Sequence, residues 1–134
     1  MTAHPAHSLI ERLATSRRAL VAAHAERTER DFAHPVGGDF GERSLGRALA
    51  DLASAERHAV DDAAGRETDT RELPDQPLPP QVMHELAGVR HRTVVYLDAL
   101  DDPSAAEPVV EDIVAREDAL TAQLIATEGR PAAQ

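Results

Sequence analysis

The sequence predicts an all-α fold: a small four-helix bundle forming a single domain over residues 1–134. Three segments dense in Pro, Gly and Asp punctuate the chain, at residues 34–43 (HPVGGDFGER), 65–80 (GRETDTRELPDQPLPP) and 101–108 (DDPSAAEP). The four stretches they separate repeat apolar residues with helical period, and none shows the alternation of a half-buried strand. Each stripe lies opposite a polar face, so each helix needs partners to bury it.

The first helix is expected over about residues 8–33, with Ser8 as its cap and Ile10, Leu13, Leu20, Val21 and Phe32 as its apolar positions. The second, about 44–65, starts behind Ser44, aligns Leu45, Leu49, Leu52, Ala59 and Ala63, and stops at Gly65. The third, about 79–101, opens on Pro79 or Pro80 and carries Val82, Leu86, Val89, Leu97 and Leu100. The fourth, about 108–128, opens on Pro108 and carries Val109, Ile113, Leu120 and Leu124. Connections of this length permit either antiparallel neighbours or a crossover, so the topology stays open.

Composition narrows the function classes. The chain has 24 acidic and 14 basic residues, a net charge of -10, no cysteine and three aromatics, Phe32, Phe40 and Tyr96. A chain this long buries about 68% of its unfolded surface, enough for a core without covalent staples. Without cysteine there is no disulfide framework, thiolate metal site or Cys nucleophile. An acidic surface with three aromatics neither attracts phosphate backbones nor stacks bases, so no nucleic-acid partner is expected. Every basic residue is Arg, which removes lysine chemistry. Residues 1–7 lack a signal-like apolar region and no apolar run approaches the roughly 20 residues of a membrane span, so a cytoplasmic protein with no membrane partner is expected.

The informative residues are charges on faces that should be buried, because an unpaired buried charge is costly. Arg116 falls in line with Val109, Ile113, Leu120 and Gln123, and Glu117 lies on the other edge of that stripe. Glu56 lies between Leu52 and Ala59, and Asp51 borders the same face beside Ala48 and Ala55. Two readings are open: charges at a bundle end with Arg reaching water, or a polar cluster between the second and fourth helices. The seven histidines form no i, i+3 or i, i+4 pair on one helix. His4, His7 and His34 lie in the terminus or a loop, and His58, His84 and His91 point to solvent. His24 alone falls near an apolar stripe, as a core or helix-end histidine.

Two segments resemble the DinB/YfiT-like superfamily, four-helix-bundle metal-dependent enzymes that include thiol-dependent transferases and mycothiol-dependent isomerase domains. The family pattern S-L-x-x-x-L-x-H-L-x-x-x-E is similar to SLGRALADLASAE at residues 44–56, and H-E-x-x-H-x-x-Q-[LI] followed by G-x-P is similar to REDALTAQL at 116–124 with Gly129, Arg130 and Pro131. Leu45, Leu49, Leu52, Glu56, Glu117, Gln123, Gly129 and Pro131 match. The three family histidines correspond to Asp51, Arg116 and Leu120, which cannot form a metal triad: guanidinium repels a cation and leucine has no lone pair. The resemblance therefore implies a degenerate metal site with no metal and no cofactor, in which Asp51 pairs with Arg116, joined by Glu56 or Glu117.

Three functions follow as expectations. The first is a non-enzymatic, homodimeric or small-ligand-binding descendant of that fold, with Val95, Val114 or Ile125 at a dimer contact. The second is a thiol-dependent transferase- or isomerase-like enzyme in which Arg116 receives a small anionic molecule in the former metal pocket, lined by Tyr96, Gln123 and His24. The third is an altered metal site built from Asp51 and Glu117 with His24 or His58, against which Arg116 argues. No catalytic residue is identified by any of them.

Overall fold

The computed structural model describes residues 6–25, 27, 29–68, 73–74 and 77–127. These residues form four long α-helices, α1 (His7–His24), α3 (Leu45–Ala63), α4 (Pro79–Asp98) and α5 (Glu107–Thr127), and one short one, α2 (Glu29–Phe32). Among the described residues there is no β-strand, only an isolated bridge between Pro35 and Ser44. No helix of the described residues is long and apolar enough to cross a membrane.

The helix ends follow local chemistry. Ser44 caps α3 by accepting a hydrogen bond from the Arg47 backbone N–H at 3.0 Å. The other end closes in a Schellman turn: Gly65, at φ 71°, donates to the Asp62 carbonyl, and Arg66 donates to that of Asp61. α4 begins at Pro79, with the Gln81 side chain accepting from the Leu78 N–H. α5 begins at Glu107, one residue before Pro108, on a 3₁₀ turn over Pro103–Ala106. α1 differs from expectation. It starts from Ala6, not Ser8, and ends at His24, and the chain re-enters helix only over α2. His4, Gly129, Arg130 and Pro131 lie outside the described residues.

The core falls into two apolar clusters. One contains Leu20, Phe32, Leu45, Leu49, Ala53, Val82, Leu86, Val89, Leu120 and Leu124; the other contains Leu9, Leu13, Val60, Leu97, Val110 and Ile113. Their order along each helix gives the topology. α1 and α5 run from the second cluster to the first, whereas α3 and α4 run from the first to the second. Hydrogen bonds agree, since Ser16 reaches Asp118 and Arg27 reaches the Leu124 carbonyl, which makes α1 and α5 parallel. α3 is about 28 Å long, and α4 begins beside its start and not its end: a Cβ added to Gly46 at the start of α3 would stand 3.0 Å from the Pro77 carbonyl oxygen just before α4. The crossover permitted by the loop length is the arrangement found.

Two stripes agree with simple periodicity at Leu45 and Leu49 of α3 and at Ile113, Leu120 and Leu124 of α5, all buried, and shift by one position at the rest. On α3 the buried line is Leu45, Leu49, Ala53, Glu56 and Val60, while Leu52 is half-buried and Ala63 is exposed. On α5 it is Val110, Ile113, Glu117, Leu120 and Leu124, and Val109 is half-buried. On α1, Leu9 is buried while Val21 is exposed.

Candidate functional site: a buried arginine–glutamate quartet

Between the two apolar clusters each long helix places polar side chains at one level. α1 supplies Ser16 and Arg17, α3 Glu56, α4 Arg90 and Thr93, and α5 Glu117. Glu56 is 3% exposed and Glu117 1%. Two carboxylates this deep require compensating charge, and two guanidiniums provide it.

The quartet has near-twofold internal order. Arg90 forks onto Glu56, Nε to Oε2 at 2.9 Å and Nη2 to Oε1 at 3.1 Å. Arg17 forks onto Glu117 in the same way, Nε to Oε2 at 3.3 Å and Nη2 to Oε1 at 3.2 Å. Each guanidinium then crosses to the other carboxylate: Arg90 Nη2 donates to Glu117 Oε1, and Arg17 Nη2 lies 3.5 Å from Glu56 Oε1. The remaining donors are also matched. Arg90 Nη1 donates to the Leu13 carbonyl at 3.0 Å, four residues before Arg17, and Arg17 Nη1 to that of Leu86 at 3.3 Å, four residues before Arg90. Hydroxyls complete the set, with Thr93 Oγ1 donating to Glu56 Oε2 at 2.6 Å and Ser16 Oγ sharing its one proton between Asp118 Oδ1 at 3.1 Å and Glu117 Oε2 at 3.4 Å.

Paired two against two, the quartet is formally neutral, and bidentate forks are the strongest geometry such pairs adopt. Burial taken alone lowers the Arg90 pKa, but the Glu56 hydrogen bonds and charge, together with Glu117, outweigh it and hold Arg90 above its ordinary value. Its guanidinium is a permanent cation.

Of the expected site residues, only Glu56 and Glu117 meet here. The Asp51–Arg116 pair is not formed. Asp51, with its side chain 37% exposed, is held by Arg43 Nη1 at 3.0 Å and Arg47 Nε at 3.1 Å. Arg116, 55% exposed, pairs with Asp112 one turn earlier at 3.0 Å. Both corrections follow from the one-position shift of the buried stripes, which rotates residues 51 and 116 outward. Leu120 is fully buried apolar core. The positions of the three family histidines thus point to unlike surroundings and do not converge on a metal, and among the described residues no three His, Asp or Glu side chains are grouped to hold one.

His24, Gln123 and Tyr96 do not line one pocket. His24 is buried at the end of α1, edge-on to Phe32 with ring centroids 5.9 Å apart, and its Nε2 has no partner among the described residues. Burial pushes its pKa below the ordinary 6.5; a hydrogen bond to its own backbone opposes this, and the Arg27 and Arg17 charges add to the lowering. Gln123 packs under the 34–44 loop, where its Oε1 would stand 2.4 Å from a Cβ on Gly38. Tyr96 packs against the second cluster, at the opposite end from His24. His7, His34, His58, His84 and His91 are exposed.

Arg17, Arg90, Ser16 and Thr93 were not anticipated. Their signal in the sequence is an interruption of the apolar repeat: Leu13 to Leu20 is bridged by Ser16 and Arg17, and Val89 to Leu97 by Arg90 and Thr93. Compared with protein-family models, curated proteins and solved structures, the chain matches none.

Proposed function

We propose that the chain is a DinB-like four-helix bundle in which an internal arginine–glutamate quartet stands in place of the family's metal, and that it acts as a structural or ligand-binding protein rather than a metalloenzyme. One observation carries this reading: all four oxygens of Glu56 and Glu117 already face guanidinium or hydroxyl donors. A cation binding there would have to displace two fixed positive charges, and Irving–Williams affinities act only on lone pairs that are available. General acid–base chemistry is likewise disfavoured, since a carboxylate held by one fork and a second, crossing guanidinium has no position open toward a substrate proton.

The transferase-like reading through Arg116 lacks support, because that residue lies on the outer face of α5 paired with Asp112. Among the described residues, the three positions expected at a homodimer contact do not form one patch. Val95 and Ile125 are exposed but sit toward opposite ends of the fold, and Val114 is half-buried.

Elemental analysis of protein purified without an affinity tag, then dialysed against zinc, nickel or manganese, tests the proposal. Sub-stoichiometric metal, with no rise in melting temperature on adding it, is expected. Stoichiometric metal that disappears in Glu117→Gln would overturn it.

A further inference from the structure

The carboxyl end of α3 and the last turns of α4 form a second polar site, separate from the quartet. Asp61 is 1% exposed, and its Oδ1 receives both Arg92 Nη2 at 3.1 Å and Arg66 Nη2 at 3.4 Å. The Schellman turn at Gly65 is what brings Arg66 back over Asp61, through the Arg66 N–H to Asp61 carbonyl bond at 2.8 Å. Two cations therefore share one oxygen of one carboxylate. Each commits a single nitrogen to it, leaving Nε and Nη1 of both without a partner among the described residues.

Those guanidiniums border an open groove of about 520 Å³, within the range of small-molecule sites. Its floor is one face of α4, where His91, Val95 and Ala99 follow at intervals of four and Arg92 is followed at the same interval by Tyr96. Ala64 and Arg66 of the turn form the facing wall. In a chain with 24 acidic and 14 basic residues, the described residues lining this groove include two arginines, a histidine and a phenol but no carboxylate. The partial negative charge of the α3 carboxyl end is blunted there by the backbone N–H groups of Gly65 and Arg66.

We propose that this groove binds a small organic monocarboxylate with a compact apolar body, the carboxylate held by Arg66 and Arg92 and the body resting on Tyr96, Val95 and Ala99. The free guanidinium N–H groups match a carboxylate in geometry and charge. The apolar stretch beside them favours a hydrocarbon body over a bare inorganic ion. The proposal does not depend on the quartet.

Tyr96 is the sole tyrosine and the chain has no tryptophan, so intrinsic fluorescence reports this groove alone. The probe is cyclohexanecarboxylate, titrated in a buffer free of carboxylate and phosphate, with cyclohexylmethanol and inorganic phosphate as comparators. A saturable change in Tyr96 emission is expected with the carboxylate, with at least about tenfold weaker responses to both comparators. Arg66→Gln, which leaves the Arg92 pair to Asp61 in place, should weaken the response about tenfold. Arg92→Gln combined with Asp61→Asn, which strands no buried carboxylate, should do the same, while Arg18→Gln on the outer face of α1 should not. No saturable response overturns the proposal, as does an equal response to the alcohol. Saturation by phosphate at equal strength overturns the assigned apolar body, and an undiminished response in both arginine variants overturns the assigned anion site.

Discussion

Replacing Arg90 with methionine keeps most of the side-chain length and removes only the charged fork. In the native protein Arg90 gives Glu56 two bonds, Glu117 one and the Leu13 carbonyl one. After the change Glu56 retains the Thr93 hydroxyl at 2.6 Å and Arg17 Nη2 at 3.5 Å, and Glu117 retains the Arg17 fork. Two carboxylates, 3% and 1% exposed, are then left with one guanidinium. Removing one partner of a buried pair costs about 3–5 kcal/mol, a large share of the roughly 5–15 kcal/mol that holds a domain folded. For a chain of this length that corresponds to a fall in melting temperature of about 10–18 °C. Circular dichroism at the helical band, in thermal and urea unfolding, reads it directly. Because the cost comes from stranding Glu56, a second change of Glu56 to glutamine should recover part of it, giving a coupling of about 1–3 kcal/mol in the double-mutant cycle. Arg116→Met is the control: it removes an exposed i, i+4 pair and should change stability by no more than about 0.5 kcal/mol. Should Arg90→Met cost less than about 1 kcal/mol, or its effect simply add to that of Glu56→Gln, the quartet is not the charge-compensated unit described.

Three further outcomes follow from the structure. Because burial depresses the His24 pKa, the unfolded chain binds more protons than the folded one as pH falls below the unfolded value of about 6.5. Stability should therefore decrease as the pH is lowered from about 6.5 toward the folded pKa, and His24→Leu should remove that component of the slope in urea midpoints between neutral pH and about pH 5.5. Gly38→Ala places a Cβ 2.4 Å from Gln123 Oε1 at a φ of +56°, so it should cost about 1–2 kcal/mol from the backbone alone; pairing it with Gln123→Ala should relieve only the steric excess. Ser44→Ala removes the cap on α3 and should lower unfolding free energy by about 1 kcal/mol, measured in the same urea series.

The helices were legible because their signals are local. Ser44, Gly65 and Pro79 act within a turn of their own positions, and each ends or starts a helix where its chemistry requires. The break after His24 was not, since Phe32 extends the apolar pattern and periodicity cannot distinguish one long helix from a helix, a turn and a short helix. Among the site residues, burial of Glu56 and Glu117 could be read from their helix faces, but their partners could not. Arg17 and Arg90 lie on other helices, and nothing in one helix states which face of another it will meet.

The misplacement of Arg116 shows what a single helix leaves undetermined and what four together resolve. Positions 109, 113, 116, 120 and 123 fit the i, i+3, i+4 spacing as well as 110, 113, 117, 120 and 124 do, because Val109 and Val110 are both apolar. The second line puts a carboxylate in the core and the first a guanidinium, and on one helix neither is cheaper. Glu56, Arg17 and Arg90 break the tie. All lie just past the middle of helices of similar length, so packing the helices side by side in either direction brings them to about the same level. With Glu117 the layer is neutral, two charges against two. With Arg116 in its place it would carry three guanidiniums against one carboxylate, which burial does not tolerate. Charge balance across the layer selects the rotation of α5, a constraint that belongs to the assembled core and not to any one of its helices.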